Sequence, residues 1–300
     1  LNRDAWASSP PSGGRPIPNI ASAAGVREIF SRYGLRAKKK LGQNFLIDAH
    51  VLGKIIAAAK IEPGDFVLEI GPGIGGMTQA LLAAGANVGA VELDKQLVPI
   101  LEELFAGENF RVIQGDILKI NLNDSFFSKK IAPESLKKPK AVANLPYYIT
   151  TPVIFALLES GAFESITVMV QKEVARRLSA GPGTKDYGSL SLAVQYHADA
   201  TLVANVPSNC FMPRPAVDSA VVRLDILPAP RVGVDREKLF KTIHAAFGKR
   251  RKTLLNALDS EFACEKTELA EILRACDIDP QTRGEVLNIF EFARLSEALP

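Results

Sequence analysis

Residues 66–78 read FVLEIGPGIGGMT: a short apolar run carrying one carboxylate, Glu69, followed at once by a glycine-rich turn that opens a helical pattern. A Val-, Leu- and Ile-rich run of this length fits a strand buried on both faces, and glycines just past its end let the backbone turn and come close to a ligand. Downstream the same alternation repeats through MTQALLAAG, NVGAVEL, QLVPILEELF, FRVIQGD, AVANL and ITVMVQ. Short strands joined by helical crossovers imply an α/β domain, a parallel sheet covered on both faces with ligands in the crevice beyond the strand C-terminal ends.

Outward from this core the pattern changes twice. After Gln195, TLVANVP and AVDSAVVRLDIL predict an antiparallel pair closing the sheet edge, broken by Pro207, Pro213 and Pro215. Leu227–Val232, with Pro228 and Pro230, reads as a linker, and periodic stretches near Lys238–Leu258, Lys266–Cys276 and Phe290–Leu299 predict a small helical domain. At the other end, residues 1–19 hold four prolines, two consecutive glycines and few large apolar groups before a helical stretch near Ala21–Tyr33. The expected organisation is a flexible tail over residues 1–20, an α/β domain over 21–228 and a helical domain over 229–300.

The 300 residues are 47% hydrophobic, enough for one large core and one small one. No apolar run reaches bilayer length and no secretory signal pattern opens the chain, so a soluble, cytoplasmic protein is expected. Cys210, Cys264 and Cys276 fall in no ligand-like spacing with His50, His197 or His244, so neither disulfides nor a metal are expected. The net charge of +3 is too small to imply nucleic-acid binding by itself, but two basic clusters stand out, Lys38–Lys40 and Lys249–Lys252.

The candidate site lies at the strand ends. Gly71, Gly73 and Gly76 have the dinucleotide spacing, and Glu92 follows roughly twenty residues on, where a carboxylate accepts hydrogen bonds from ribose hydroxyls. Asp116, at the third strand end, is placed to hold the amino group of an adenine. Glu69 sets a negative charge beside a loop that in a nucleotide-binding protein welcomes anions, which suits a cationic amino group better than a pyrophosphate. Ribose and base readers without a phosphate partner fit S-adenosylmethionine. The turn Asn144-Leu145-Pro146-Tyr147 adds an amide acceptor, a carbonyl whose direction Pro146 restricts, and an aromatic face, a set suited to an extruded adenine. Alone, the same turn also fits a plain strand-to-helix connection capped by Thr151.

Taken in order, LGQNFLID, EIGPGIGGMT, VELD, QGDIL, NLPYYITTP, FMPRPAVDS and FGKRRKTLLNAL resemble the ribosomal RNA adenine dimethyltransferase family, nearest to its bacterial small-subunit branch. The resemblance runs from about Val26 to Leu299. It implies a Rossmann-like sheet of the class I S-adenosylmethionine-dependent methyltransferases with a C-terminal helical domain. The implied activity is dimethylation of the exocyclic amines of two adjacent adenosines near the 3′ end of small-subunit rRNA, within a pre-30S particle, by a monomer. By the same resemblance Gln43, Asn44 and Leu46 line the cofactor pocket, Gly71 and Gly73 approach its methionine end, Glu92 holds its ribose, and Asp116 and Ile117 frame its adenine. Asn144 sits between the two ligands as part of the cofactor pocket, and it and the Leu145 carbonyl accept from the target amine; Tyr147 stacks on the base, and Phe211 lies near its opposite face, although the bare sequence reads Phe211 as a core residue. Lys249, Arg250, Arg251 and Lys252 supply phosphate contacts. The rival expectations are a large-subunit enzyme of the macrolide-resistance type, a non-catalytic ribosome assembly factor, and an NAD-dependent oxidoreductase built on GPGIGG.

Overall fold

A computed structural model of the chain describes residues 16–122, 138–249 and 251–300. Its strands in chain order are β1 (Phe45–Leu46), β2 (Phe66–Ile70), β3 (Asn87–Glu92), β4 (Phe110–Gln114), β5 (Lys140–Asn144), β6 (Ser165–Gln171), β7 (Ala198–Val206), β8 (Phe211–Met212) and β9 (Ser219–Ile226). Seven of them form one sheet in the order β4-β3-β2-β5-β6-β9-β7, while β1 and β8 pair separately. The ladders from β4 through β6 are parallel, and β9 runs antiparallel to β6. Every residue of β2 is buried, which is why its sequence is apolar on both faces, Glu69 excepted, rather than alternating.

The order places the site. The chain runs outward from β2 through β3 to β4, then returns to lay β5 on the other side of β2, so the connections leaving β2 and β5 diverge and open a crevice at the strand C-terminal ends. Short helices close the crossovers. Ala49–Ala59 is capped by Asp48, whose carboxylate accepts from the Val51 N–H, and Gly76–Ala83 starts directly after the glycine turn. The helix after β5 begins at Thr150, one residue before the expected start. Thr151 does not cap it. Ile149 occupies the cap position without a side-chain hydrogen bond, and Pro152 sits in the first turn, where its missing N–H leaves no helical bond unmade.

The described residues divide into two compact units, one of the chain up to Ala175 with Thr201–Ile226, the other of Arg176–Ala200 with Leu227–Pro300. This differs from the expected boundary at 228/229. Residues 176–200 belong with the helical unit because Tyr187, Leu192 and Tyr196 are buried in the same cluster as Leu239, Ile243 and Phe292. The periodic stretch near Lys238–Leu258 forms two helices, Arg236–Gly248 and Leu254–Leu258. Thr253 caps the second through its hydroxyl, which accepts from the Asn256 N–H. Ile289–Ala298 opens with a capping box between Asn288 and Glu291.

The expected tail ends earlier than residue 20. Ile20 is 1% exposed and packs with Val26, Ile29, Ile74 and Leu101. Gln79 ties the segment down from both sides, accepting from the Ile20 N–H and donating to the Pro18 carbonyl at 3.1 Å each. The rest of the tail, residues 1–15, lies outside the described residues. Among the described residues no helix is long and apolar enough to cross a membrane.

Candidate active site

The glycine turn is held open by the strand beside it. Gly71 and Gly73 have φ of +67° and +60°, a region that disfavours side chains. The Gly71 N–H donates to the Val91 carbonyl at 2.9 Å and that of Gly73 to Glu92 Oε2 at 3.0 Å. A Cβ on Gly73 would stand 3.0 Å from the Phe45 ring, whereas one on Gly71 would meet nothing within 4 Å. Gly73 lets the loop pack on Phe45; Gly71 leaves free space for a ligand.

Three carboxylates stand around this space, each in a different state. Glu92, 6% exposed, accepts from the Gly73 and Asp94 N–H groups, the latter at 2.7 Å, and burial pushes its carboxyl up against those donors. Glu69, 2% exposed, accepts from the Thr78 hydroxyl at 2.6 Å; burial first and the Glu92 charge second push it up to about 8. Asp116, half-buried, caps the turn Ile117–Lys119 with one oxygen on the Leu118 N–H, leaving the other for a ligand.

The segment before β1 forms the opposite wall. Lys38 Nζ meets Asp94 Oδ1 at 2.7 Å, Gln43 Nε2 meets Asp94 Oδ2 at 3.0 Å, and Gln43 Oε1 accepts from the Lys38 N–H at 2.8 Å. Burial works against ionisation of Asp94, but the Lys38 ammonium and the Gln96 and Gln43 donors outweigh it and hold the carboxyl below its usual range. Lys38 is therefore paired within the fold, unlike the exposed Lys39 and Lys40. Asn44 donates its amide to the Gly42 carbonyl and offers its own carbonyl to Asn144 Nδ2 at 3.1 Å.

That last bond orients the central amide. A carbonyl only accepts, so the Asn144 nitrogen must face Asn44, and its Oδ1 is the end left available. The adjoining turn is fixed at each residue. Leu145 donates its N–H to the Met169 carbonyl at 3.1 Å, the Pro146 carbonyl accepts from the Ile149 N–H and the Thr150 hydroxyl, and the Tyr147 hydroxyl shares a 2.8 Å bond with Ser219. Burial, partly offset by Ser219, raises the Tyr147 phenol above its ordinary value.

Many of these groups line one open cleft of about 1180 Å³, the solvent at its mouth included. The fold brings Gln43, Asn44 and Leu46, the glycines, Glu69, Glu92, Asp116 with Ile117, and all four residues of the Asn144 turn onto its wall. Phe211 is not on that wall. It is 4% exposed, sits across from Leu46 in the β1–β8 ladder and packs into the core with Val51 and Val221, so it supports the wall from behind. Sequence reasoning missed Asp94, Thr78, Leu93 and Tyr148. Leu93, 42% exposed, and Tyr148, 56% exposed, are large apolar faces on the cleft, and their only signal was adjacency to Glu92 and Tyr147. The basic cluster belongs to the helical unit. Lys249, Arg251 and Lys252 are exposed on the turn between Arg236–Gly248 and Leu254–Leu258, closed by a 2.8 Å bond from the Lys252 N–H to the Lys249 carbonyl; Arg250 lies outside the described residues. Among the described residues no three His, Cys, Asp or Glu side chains gather to hold a metal ion.

A family model described as ribosomal RNA adenine dimethylase matches residues 34–295. The ribosomal RNA small subunit methyltransferase A of Lachnoclostridium phytofermentans is 51% identical over 278 residues, covering 91% of this chain and 94% of the relative. The protein of the same name from Alkaliphilus oremlandii is 47% identical over 289 residues, 94% and 99% of the two chains. Among solved structures, a dimethyladenosine transferase from Plasmodium falciparum superposes with a TM-score of 0.68 at 28% identity, over 83% of this chain and 95% of that one. The 23S rRNA methyltransferase ErmE shares the fold, with a TM-score of 0.65 at 24% identity over 85% and 99% of the two chains.

Proposed function

The chain belongs to the ribosomal RNA adenine dimethylase family, and from that premise we propose how its cleft acts on an adenine base. The protein is an rRNA adenine methyltransferase, and its relatives at 47% and 51% identity are small-subunit enzymes, which sets aside the large-subunit and oxidoreductase readings. The target is the exocyclic amine of two adjacent adenosines near the 3′ end of small-subunit rRNA, met within a pre-30S particle by a monomer in the cytoplasm.

The donor fits the chain's own residues. Glu69, buried and raised to about 8, would release its proton and become the counter-charge of a cationic amino group that binds beside it. Gly71 leaves the space a side chain would fill, Glu92 faces a ribose, and Asp116 with Ile117 frames an adenine. When bound there, S-adenosylmethionine supplies a methyl group on a positively charged sulfur that departs readily. Everything else is positioning. An adenine amine is a weak nucleophile because its lone pair is delocalised into the ring. Asn144 Oδ1 and the Leu145 carbonyl accept hydrogen bonds from its two N–H groups, draw the nitrogen toward tetrahedral geometry and localise the pair as the N–C bond forms and the C–S bond breaks, the extra proton of the methylated amine then passing to water. Acceptors that strengthen in the transition state lower the barrier. The amide does not ionise at working pH, so it orients the amine rather than deprotonating it. Tyr147 gives the base a face to stack on, and the exposed basic turn of the helical unit grips rRNA phosphates without reading sequence.

The observation that carries this reading is the Asn144–Asn44 bond, which fixes the amide with its oxygen as the available acceptor. Purified protein, labelled S-adenosylmethionine and undermethylated small subunits, with modified bases mapped, test it directly. Asn144→Ala should lose roughly 100-fold or more in single-turnover transfer at saturating donor. Near-normal transfer by that variant would remove the mechanism.

A further inference from the structure

Asp94 is assigned no role by the motifs, yet it sits where two halves of the cleft meet. Its side chain is 4% exposed and both of its oxygens are engaged by the segment before β1, one by Lys38 Nζ and one by Gln43 Nε2. Lys38 and Gln43 also bond to each other, so residues 38–43 close a ring of hydrogen bonds pinned to one buried carboxylate. The Asp94 N–H in turn donates to Glu92 Oε1, and Glu92 Oε2 receives the Gly73 N–H. Immediately after Gln43, the Asn44 carbonyl holds the Asn144 amide. Hydrogen bonds joined by the backbone from Gln43 to Asn44 therefore connect the glycine turn and Glu92 to the residue facing the target amine.

We propose that Asp94 is a positioning residue: with Lys38 and Gln43 it clamps residues 38–44 to the end of β3, so that the Asn44 carbonyl keeps the Asn144 oxygen turned toward the target amine. The proposal rests on the methyl-transfer reading above. An asparagine at position 94 keeps the shape but removes the charge facing Lys38, and its amide nitrogen would oppose a donor of Lys38 or Gln43. Phe45 against Gly73 and the β1–β8 pair remain, so the segment loosens without being released. Misplacing a reacting group by about an ångström costs on the order of 100-fold in rate.

The test is single-turnover transfer to undermethylated small subunits at saturating S-adenosylmethionine, with S-adenosylhomocysteine affinity measured separately without RNA. Asp94→Asn and Lys38→Met should each slow transfer by about 10- to 100-fold at saturation, more than they weaken cofactor affinity. The double variant should be no slower than the worse single one, because both act through one clamp, and Lys38→Arg should restore most of the rate. A purely structural Asp94 would lower the thermal midpoint while leaving the saturated rate intact, and that result, or losses that multiply in the double variant, overturns the clamp. Should Asp94→Asn fail to fold, Lys38→Met, at a side chain 39% exposed, carries the same test. A wild-type chain that transfers no methyl group overturns the methyl-transfer reading and the clamp together, whereas a competent wild type beside an unimpaired Asp94→Asn overturns the clamp alone.

Discussion

Replacing Glu69 by glutamine should make the protein more stable at neutral and alkaline pH, by an amount that grows with pH. The carboxyl is pushed from 4.5 to about 8 chiefly by burial. The native state thus holds a proton that the unfolded chain gives up above pH 4.5. A raised carboxylic acid disfavours folding as pH rises: between about 4.5 and 8, stability falls by roughly 1.4 kcal/mol per pH unit, reaching on the order of 5 kcal/mol above pH 8. Glutamine keeps an acceptor for the Thr78 hydroxyl and carries no charge to desolvate. The two proteins should match below pH 4.5, differ by roughly 3 kcal/mol near pH 7, and diverge no further above pH 8. Urea unfolding of both across a pH series reads the difference directly, since other groups titrate alike in both. Parallel profiles between pH 5 and 8 would refute the assignment of a buried, neutral Glu69. The penalty has a function in the proposed cleft. A cationic amino group arriving beside Glu69 favours ionisation, so donor binding below pH 8 should release a proton from the wild type and not from Glu69→Gln, which calorimetry in buffers of different ionisation heat detects.

Two further outcomes follow from geometry elsewhere. Lys140 Nζ lies 2.6 Å from both Asp65 Oδ2 and the Lys60 carbonyl, with the ion pair 6% exposed on each side. Lys140→Met should therefore destabilise the fold by about 3–5 kcal/mol by taking the counter-charge from a buried carboxylate; a loss under about 1 kcal/mol in chemical denaturation would show the pair to be dispensable. Neutralising Lys249 and Arg251 to glutamine should weaken small-subunit binding and lower the slope of log affinity against log salt by about one for each phosphate no longer neutralised. An unchanged slope in a salt series would show that these side chains meet only solvent.

Much of the site was legible in the sequence because its features are local. Glu92, Asp116 and Asn144 stand at the ends of short apolar runs, and parallel strands joined by crossovers put such ends on one edge. Gly71 and Gly73 announced backbone that L side chains avoid. The misreadings are equally specific. For Phe211 the bare sequence read core while the resemblance implied a ring near the base, and in the fold it is buried where β8 pairs with β1. Lys38 read as one member of a basic cluster, but a carboxylate 56 residues away pairs with it. Residues 189–197 looked like part of the α/β domain, but their apolar side chains are shared with the helical unit.

By itself, then, the order of amino acids determined the periodicity of each element, the turns that require glycine, and the identity of the groups able to carry the chemistry, because these depend on neighbours a few positions away. Only the tertiary structure decided that β5 returns to lie beside β2, that Asn144 bonds a backbone carbonyl 100 residues earlier, and that Asp94 joins the two walls of the cleft. Such pairings arise from packing and strand register across long loops, where the partner is set by which surfaces bury together and not by any local pattern.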